Sequence, residues 1–383
     1  MMAIYLDHAA TTPIHPKVRE VMLPFLDSTF GNPSSIHDFG RQVRHAVDRA
    51  RSQVAKALNT EPGQITFTSG GTEADNLALT GVALAAREQG RNHLITSRIE
   101  HHAVLDTCNY LERLGFRVTR LPVDETGRVN PEDLRKALDS QTCLVSIMYG
   151  NNEVGSLQPI DELGQITREQ GVPFHTDAVQ AFGMEVLDMQ TLPVDLLTVS
   201  SHKINGPKGA GALFIREGVQ FWPQMYGGLQ ENRRRAGTEN VLGIVGLGQA
   251  AEIAANRREE HREFMLRCRE TMLQELRKSG IRFMVNGHPT CHLPHILNLS
   301  FPEVDTVVML MNLDMEGVAC ASGSACTSGT LEISHVLKEM GLSQERLRSA
   351  IRFSFGLGNT TEEIEEAAEK VANVAQRFQT KGK

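Results

Sequence analysis

Three stretches of this chain hold residue types suited to catalysis. In Ser200-Ser201-His202-Lys203-Ile204-Asn205-Gly206-Pro207-Lys208-Gly209, Lys203 stands beside a histidine and two hydroxyls in a glycine- and proline-rich turn. A lysine of lowered pKa is a Schiff-base nucleophile, and Ser200 and His202 could hold a phosphate next to it; Lys208 reads as an ordinary surface lysine. In Asp177-Ala178-Val179-Gln180 a carboxylate closes a strand-like run, where it could pair with a protonated ring nitrogen or simply cap a helix. In Ser349-Ala350-Ile351-Arg352-Phe353-Ser354-Phe355 an arginine alternates with apolar residues. A partly buried arginine calls for a bidentate carboxylate, from the protein or from a substrate.

Four further motifs add to these. Ser69-Gly70-Gly71-Thr72-Glu73-Ala74-Asp75-Asn76 opens a helix with two glycines, either an anion site made by free N–H groups and the helix dipole, or a plain cap on Ser69 or Thr72. It fits neither the Walker A pattern nor G-x-G-x-x-G. Glu100-His101-His102 offers a ring to stack on a cofactor or move a proton, and spacing alone does not choose between the histidines. The run from Ala319 to Thr330 has no large side chain and reads as a mobile loop, with Cys326 exposed at its middle and Cys320 undecided. About six residues of such a chain reach roughly 12–15 Å, enough to carry a thiol from a pocket to a surface. Gln230–Asn240, with Arg233, Arg234 and Arg235, is a solvated turn or a basic loop beside a phosphate.

The elements that must position these groups alternate. Strands are expected at Ile65–Thr68, Leu94–Ser97, Val118–Leu121, Leu144–Tyr149, Pro173–Thr176, Leu196–Ser200 and Ala212–Ile215, with helices such as Glu73–Gln89, Ala103–Leu114, Pro131–Leu138 and Ile160–Gln170 between them. The pattern predicts an α/β fold: a large domain whose mostly parallel sheet is flanked by helices, plus a smaller α+β domain. Four of these motifs, at Ser69, Glu100, Asp177 and Ser200, and a fifth, Gly150-Asn151-Asn152-Glu153, directly follow a strand, so in a parallel sheet they share the edge where ligands bind. Gly243–Lys278 reads as one long helix, followed by a mixed segment, Ile281–Phe355, and an amphipathic helix, Glu362–Phe378. The expected division is 16–259 for the large domain and 260–383 for the small one, which carries the 319–330 loop and is joined by the 1–15 segment.

Composition narrows the function. The 383 residues include 39 Lys+Arg and 46 Asp+Glu, a net charge of −7, without the basic excess of a nucleic-acid binder. No apolar run approaches the roughly 20 residues of a membrane span, and no export signal is visible. The six cysteines form no C-x-x-C pair and no zinc spacing, so no metal site is expected and a reducing, cytoplasmic setting is.

Taken together, the phosphate turn, the acid for a ring nitrogen, the Schiff-base lysine and the arginine for a carboxylate describe a pyridoxal-phosphate enzyme acting on an amino acid. At these residues, and from Tyr5-Leu6-Asp7-His8-Ala9-Ala10-Thr11-Thr12-Pro13 to Ile351-Arg352-Phe353-Ser354, the chain resembles the cysteine desulfurases: the NifS/IscS-like branch of the class V aminotransferases, of fold type I. Ser324-Ala325-Cys326-Thr327-Ser328 is similar to the long Cys loop of that branch. The resemblance implies pyridoxal 5'-phosphate on Lys203, with Asp177 at its ring nitrogen, Gln180 at its hydroxyl and His101 stacked on the ring. Gly71, Thr72, Ser200 and His202 would bind the phosphate, with Thr238 reaching in from the second subunit of a homodimer. Asn152, Arg352 and Asn32 would receive the carboxylate of L-cysteine. Cys326 would take the sulfur as a persulfide, leaving alanine, and pass it to an acceptor protein: an iron–sulfur scaffold, where Cys326 could ligate a cluster transiently, or a tRNA 2-thiouridylase. Runs such as Tyr149-Gly150-Asn151-Asn152-Glu153-Val154-Gly155 look most like the branch serving tRNA thiolation. One departure stands out. Ser201 replaces the glycine of a Ser-Gly-His-Lys pattern, which would strain the turn if that position needs positive φ. A class V aminotransferase or selenocysteine lyase would keep the cofactor but not need Cys326, whereas a non-catalytic sulfur scaffold would not need Lys203.

Overall fold

A computed structural model describes residues 3–323 and 333–379. Cys326 and the centre of its loop therefore lie outside the described residues.

After a short first strand, β1 (Ile4–Tyr5), come seven strands of one sheet: β2 (Ile65–Thr68), β3 (His93–Ser97), β4 (Arg117–Leu121), β5 (Thr142–Ser146), β6 (Phe174–Asp177), β7 (Leu196–Ser200) and β8 (Gly211–Ile215). They lie in the order β2-β8-β7-β6-β5-β3-β4. Only β8 is antiparallel to its neighbours β7 and β2, so the other six strands run one way. The apolar residues of the central strands split between two cores. Leu94, Leu144, Leu196 and Leu213 join one, and Ile95, Val145, Leu197 and Phe214 join the other. Burial on both faces explains why these strands read as continuous apolar runs.

The helices of this part are α1 (Pro16–Met22), α2 (Asp38–Ala57), α3 (Gly71–Arg87), α4 (His102–Arg113), α5 (Pro131–Ala137), α6 (Ile160–Glu169) and α7 (Val241–Asn256). Helix α3 is almost entirely small or aliphatic, and Ala74, Ala78, Val82 and Ala83 bury it against the sheet. The expected single helix from Gly243 to Lys278 is two. Arg257 (φ −113°, ψ 15°) ends α7, and α8 (Arg258–Lys278) starts at once. Neither glycine nor proline marks this break. It is imposed by packing, because α7 lies on α1 and α2 while α8 lies on the last helix.

A second sheet orders β12-β10-β9 from β9 (Met284–Asn286), β10 (Ile296–Ser300) and β12 (Ala350–Ser354). Strand β11 (Val318–Ala319) pairs in parallel with β1, tying the start of the chain to this region. Helices α9 (Thr306–Met315), α10 (His335–Glu339), α11 (Gln344–Leu347) and α12 (Thr361–Gln379) complete it. Among the described residues no helix is long and apolar enough to cross a membrane.

Candidate active site

Because β2, β3, β5, β6 and β7 run the same way, their C-terminal ends share one edge. A cavity of ≈ 380 Å³ opens there, lined by Gly71, Thr72, His101, Asn152, Asp177, Gln180, Ser200, His202, Lys203 and Arg352, together with Ala9, Ala10, Asp75 and Gly323. Ten expected site residues are thus brought together. Asn32 does not line the cavity; it is exposed, and its side chain accepts from the Ser34 N–H (2.8 Å). Thr238 lines a separate, smaller cavity with Ser69 and Arg235.

Lys203 ends the short 3-10 turn Ser201–Lys203 that follows β7. Its Nζ donates to the Ala9 and Ala10 carbonyls (2.6 and 2.8 Å). The N-terminal segment straps this turn down: Thr12 donates its N–H and hydroxyl to the His202 carbonyl (2.9 and 2.8 Å), and the Asn205 N–H donates to the Thr12 hydroxyl (2.9 Å). Burial, with Lys203 and Lys208 nearby, lowers the His202 pKa to about 4, so its ring is neutral near pH 7. Ser201 is not strained. It has no positive φ, and Gly206, where a side chain would overlap the Ser201 hydroxyl, leaves it room.

The cap reading of the Gly-Gly turn fails. The N-cap of α3 is Gly70 (φ 156°), and no side chain caps the helix. Its leading N–H groups, at the positive end of the helix dipole, lie at the mouth of the cavity beside Ser200. Gly211 makes the close approach possible, since a side chain there would come within 2.7 Å of the Gly70 backbone.

Asp177 is buried, and its Oδ1 accepts the Val179 N–H (2.9 Å). Burial raises its pKa, opposed by His101, the Val179 N–H and Lys203. A further cation against this carboxylate would favour its ionised form. Behind it stands Asp75, which sequence reasoning passed over although it falls one turn after Gly71 and so shares its helix face. Burial and Asp177 push Asp75 well above the usual carboxylate range. Its neighbour His175, 3.6 Å away, is held neutral by burial, with a pKa of about 3. That distance is too long for a hydrogen bond between them. Glu100, also fully buried, accepts from the Ser97 hydroxyl (2.5 Å) and the Met148 N–H (3.0 Å), and burial raises its pKa to about 8.

His101, not His102, faces the site. It is the N-cap of α4, and its Nδ1 accepts the Ala103 N–H (3.1 Å). Burial lowers its pKa, so the ring is neutral near pH 7 with Nε2 carrying the proton. His102 is exposed, pointing at Asp106 (3.8 Å). Gln180 is oriented by Ala9, whose carbonyl accepts from Nε2 (2.9 Å), and by His295 Nε2, which donates to Oε1 (3.1 Å).

Arg352 is buried on β12. Its Nη2 meets Asp7 Oδ1 (2.8 Å) and its Nη1 donates to the Asn152 carbonyl (3.0 Å). A protein carboxylate therefore engages the guanidinium through one nitrogen, and Nε has no hydrogen-bond partner among the described residues. Asp7 was not among the expected site residues; its signal is the strand-like Ile4-Tyr5-Leu6 that carries it alongside β12, where Asp7 bridges to Ser354.

The donor set fits a phosphate-bearing aldehyde with a basic ring. An uncapped helix start and two hydroxyl or imidazole groups suit the anion, Lys203 the aldehyde, and a buried carboxylate the ring nitrogen. The volume suits a small cofactor with its substrate.

Residues 4–366 match the model of the family described as aminotransferase class-V. A relative in Bacillus subtilis (strain 168), provisionally named cysteine desulfurase IscS 1, is 52% identical and covers 99% of this chain and 100% of its own. One in Methanosarcina thermophila, named cysteine desulfurase IscS, is 47% identical over 98% of this chain and 93% of its own. A solved structure titled NifS-like protein superposes with a TM-score of 0.91 at 37% identity, over 97% of this chain and 99% of that one.

Proposed function

The chain belongs to the class-V aminotransferase family as one of its cysteine desulfurases, and from that premise we propose how its residues share the removal of sulfur from L-cysteine. Pyridoxal 5'-phosphate is a general property of this family. Lys203 would hold its aldehyde carbon and Asp177 its ring nitrogen, with Gln180 at the ring hydroxyl and His101 against the ring. Gly71, Thr72, Ser200 and His202 would hold the phosphate, joined by Thr238 of a second copy. When bound, the cofactor supplies an electron sink that makes the bonds at the substrate α- and β-carbons labile.

The chain's own groups do the rest. Arg352 and Asn152 orient the substrate carboxylate. Lys203 Nζ, as a free amine, takes the α-proton; the Ala9 and Ala10 carbonyls are placed to hold its charged form. Cys326 Sγ attacks the substrate sulfur. An S–S bond forms, the Cβ–S bond breaks with its electron pair left on carbon, and that carbon is protonated. L-cysteine and a thiol thus become alanine and a persulfide on Cys326. The protonated Lys203 amine can supply the proton for that carbon, whereas the neutral His101 ring donates only a hydrogen bond, from Nε2. Because its Nδ1 already accepts the Ala103 N–H, the positive charges of Lys203 and Arg352, more than His101, must stabilise the attacking thiolate.

The observation that carries this reading is the convergence of Lys203, Asp177, His101 and Arg352 on one cavity. Mass spectrometry of the holoenzyme after borohydride reduction, with and without L-cysteine, tests it. A phosphopyridoxyl adduct on Lys203 and a cysteine-dependent extra sulfur on Cys326 are expected, and Cys326→Ala should lose the sulfur and keep the adduct. Sulfur release by Cys326→Ala at the wild-type rate would sink the assignment.

The proposed assembly is a cytoplasmic homodimer. The second copy is supported by exposed apolar side chains in two stretches: Leu26, Phe30, Ile36 and Phe39, where the Phe30 and Phe39 rings stack, and Tyr226 and Leu229, which shortly precede Thr238 in the chain. Two acceptors are proposed, an iron–sulfur scaffold and a tRNA 2-thiouridylase. Mixing the persulfidated enzyme with each purified protein, and following the labelled sulfur, separates them.

A further inference from the structure

Next to Asn152 in the chain stands Glu153, which is 3% exposed and does not line the cavity. Its backbone is held on both sides. The N–H donates to Asn151 Oδ1 (2.9 Å), and the carbonyl accepts from Asn298 Nδ2 (3.1 Å). The carboxylate meets two points eleven positions apart. The Ser334 hydroxyl donates to Oε2 at 2.5 Å, and the same hydroxyl accepts the Leu337 N–H (3.1 Å), capping α10. On the other side, Gly323 packs so closely that a methyl group on it would overlap the carboxylate. Two residues before Gly323, Ala321 exchanges backbone hydrogen bonds with Arg352 (2.6 and 3.2 Å). Described residues flanking 324–332 therefore meet at one buried carboxylate, which is joined through Asn152 to Arg352.

We propose that Glu153 is a positioning residue for sulfur transfer: by holding Gly323 and Ser334 together it sets the base from which the segment between them presents Cys326 to the substrate. The inference rests on Cys326 being the sulfur acceptor. A thiol tethered between two fixed points has a higher effective concentration at the substrate than one whose tethers drift apart. The short, charge-assisted Ser334 bond makes the carboxylate suited to this work. Glu153 touches neither the cofactor residues nor the expected carboxylate anchor through its side chain, so its removal should act on the transfer step and leave binding alone.

The experiment is a single-turnover measurement on the holoenzyme, reading persulfide on Cys326 by mass spectrometry, with the cofactor absorbance and the KM for L-cysteine recorded on the same samples. Glu153→Ala should slow persulfide formation about tenfold, the loss expected of one charge-assisted hydrogen bond, with KM and spectrum within about twofold of wild type. Glu153→Gln keeps an oxygen for Ser334 and should recover most of the rate. Ser334→Ala and Gly323→Ala disturb the same contact from its two ends and should slow the same step, which secures the test if Glu153→Ala does not fold. Wild-type persulfide formation in Glu153→Ala, while Cys326→Ser forms none, would overturn the clamp and leave the Cys326 assignment standing. Equal losses of cofactor and substrate binding would overturn it too, in favour of a plain packing role. If Cys326→Ser still desulfurates at full rate, the assignment beneath the clamp fails and the clamp with it.

Discussion

Glu100 keeps its proton near neutral pH because burial raises its pKa from 4.5 to about 8. A carboxyl whose folded pKa lies above its unfolded one binds more protons when folded, so its contribution to stability falls as pH rises from about 4.5 to about 8 and levels off above. Urea denaturation of wild type and Glu100→Gln across that window should show the wild type losing up to about 1.4 kcal/mol per pH unit relative to the variant. Parallel pH profiles would mean that Glu100 is ionised in the fold. Lys203, Asp177 and Ser200 were legible in the sequence because each sits at or just after the end of an apolar strand, while strand position left the choice between His101 and His102 open. Asp75, Glu100, Asp7 and Glu153 were not, since nothing in a sequence marks a carboxyl as buried. Their positions depend on pairings such as Asp177 with Thr198, or Arg352 with Asp7, which exist only after the strands register.

The anion turn works as an element because α3 begins against β8. Gly211 permits that contact, and Gly211→Ala would press a methyl group to within 2.7 Å of Gly70 and 2.8 Å of the Val199 carbonyl. These neighbours are backbone and cannot swing aside. The variant should lose about 1–3 kcal/mol of stability, and its cofactor should dialyse out faster than that of wild type; calorimetry and the visible spectrum read the two effects. Unchanged values of both would show that α3 can shift without cost. Six of the seven strands of the large sheet were readable to within one residue at each end, because two apolar cores leave strand-length runs. Strand β5 differs most, ending at Ser146 where Tyr149 was expected, although the Ile147 and Tyr149 N–H groups still reach the His175 and Asp177 carbonyls. The break between α7 and α8 carried no local signal, for it answers to packing partners distant in the chain.

At the scale of the whole molecule, the exposed apolar side chains around Phe30 and Phe39 give the proposed dimer its clearest test. Ile36 is 91% exposed, and the Phe30 and Phe39 rings stack at 5.6 Å. Ile36→Asp with Phe39→Asp should shift sedimentation from dimer to monomer and weaken cofactor retention, because Thr238 would lose its neighbour. A double variant that stays dimeric and loaded would place the interface elsewhere. The mostly parallel sheet and its ligand edge were legible because five strands each lead directly into a polar turn. The strap was less so, since residues 7–12 gain their meaning only beside β7 and β12. That strap bears on how the enzyme comes into being. Ala9, which holds Lys203 and Gln180, is itself held by the Ser354 hydroxyl, and Asp7 by Arg352, each pair 345 residues apart. Contacts of such separation form late in folding. A nascent chain that has emerged through Lys203 carries most of the catalytic vocabulary but lacks the strand that closes it, so activity arrives only once translation has passed β12, and a polypeptide cut short before that point is silent instead of partly active.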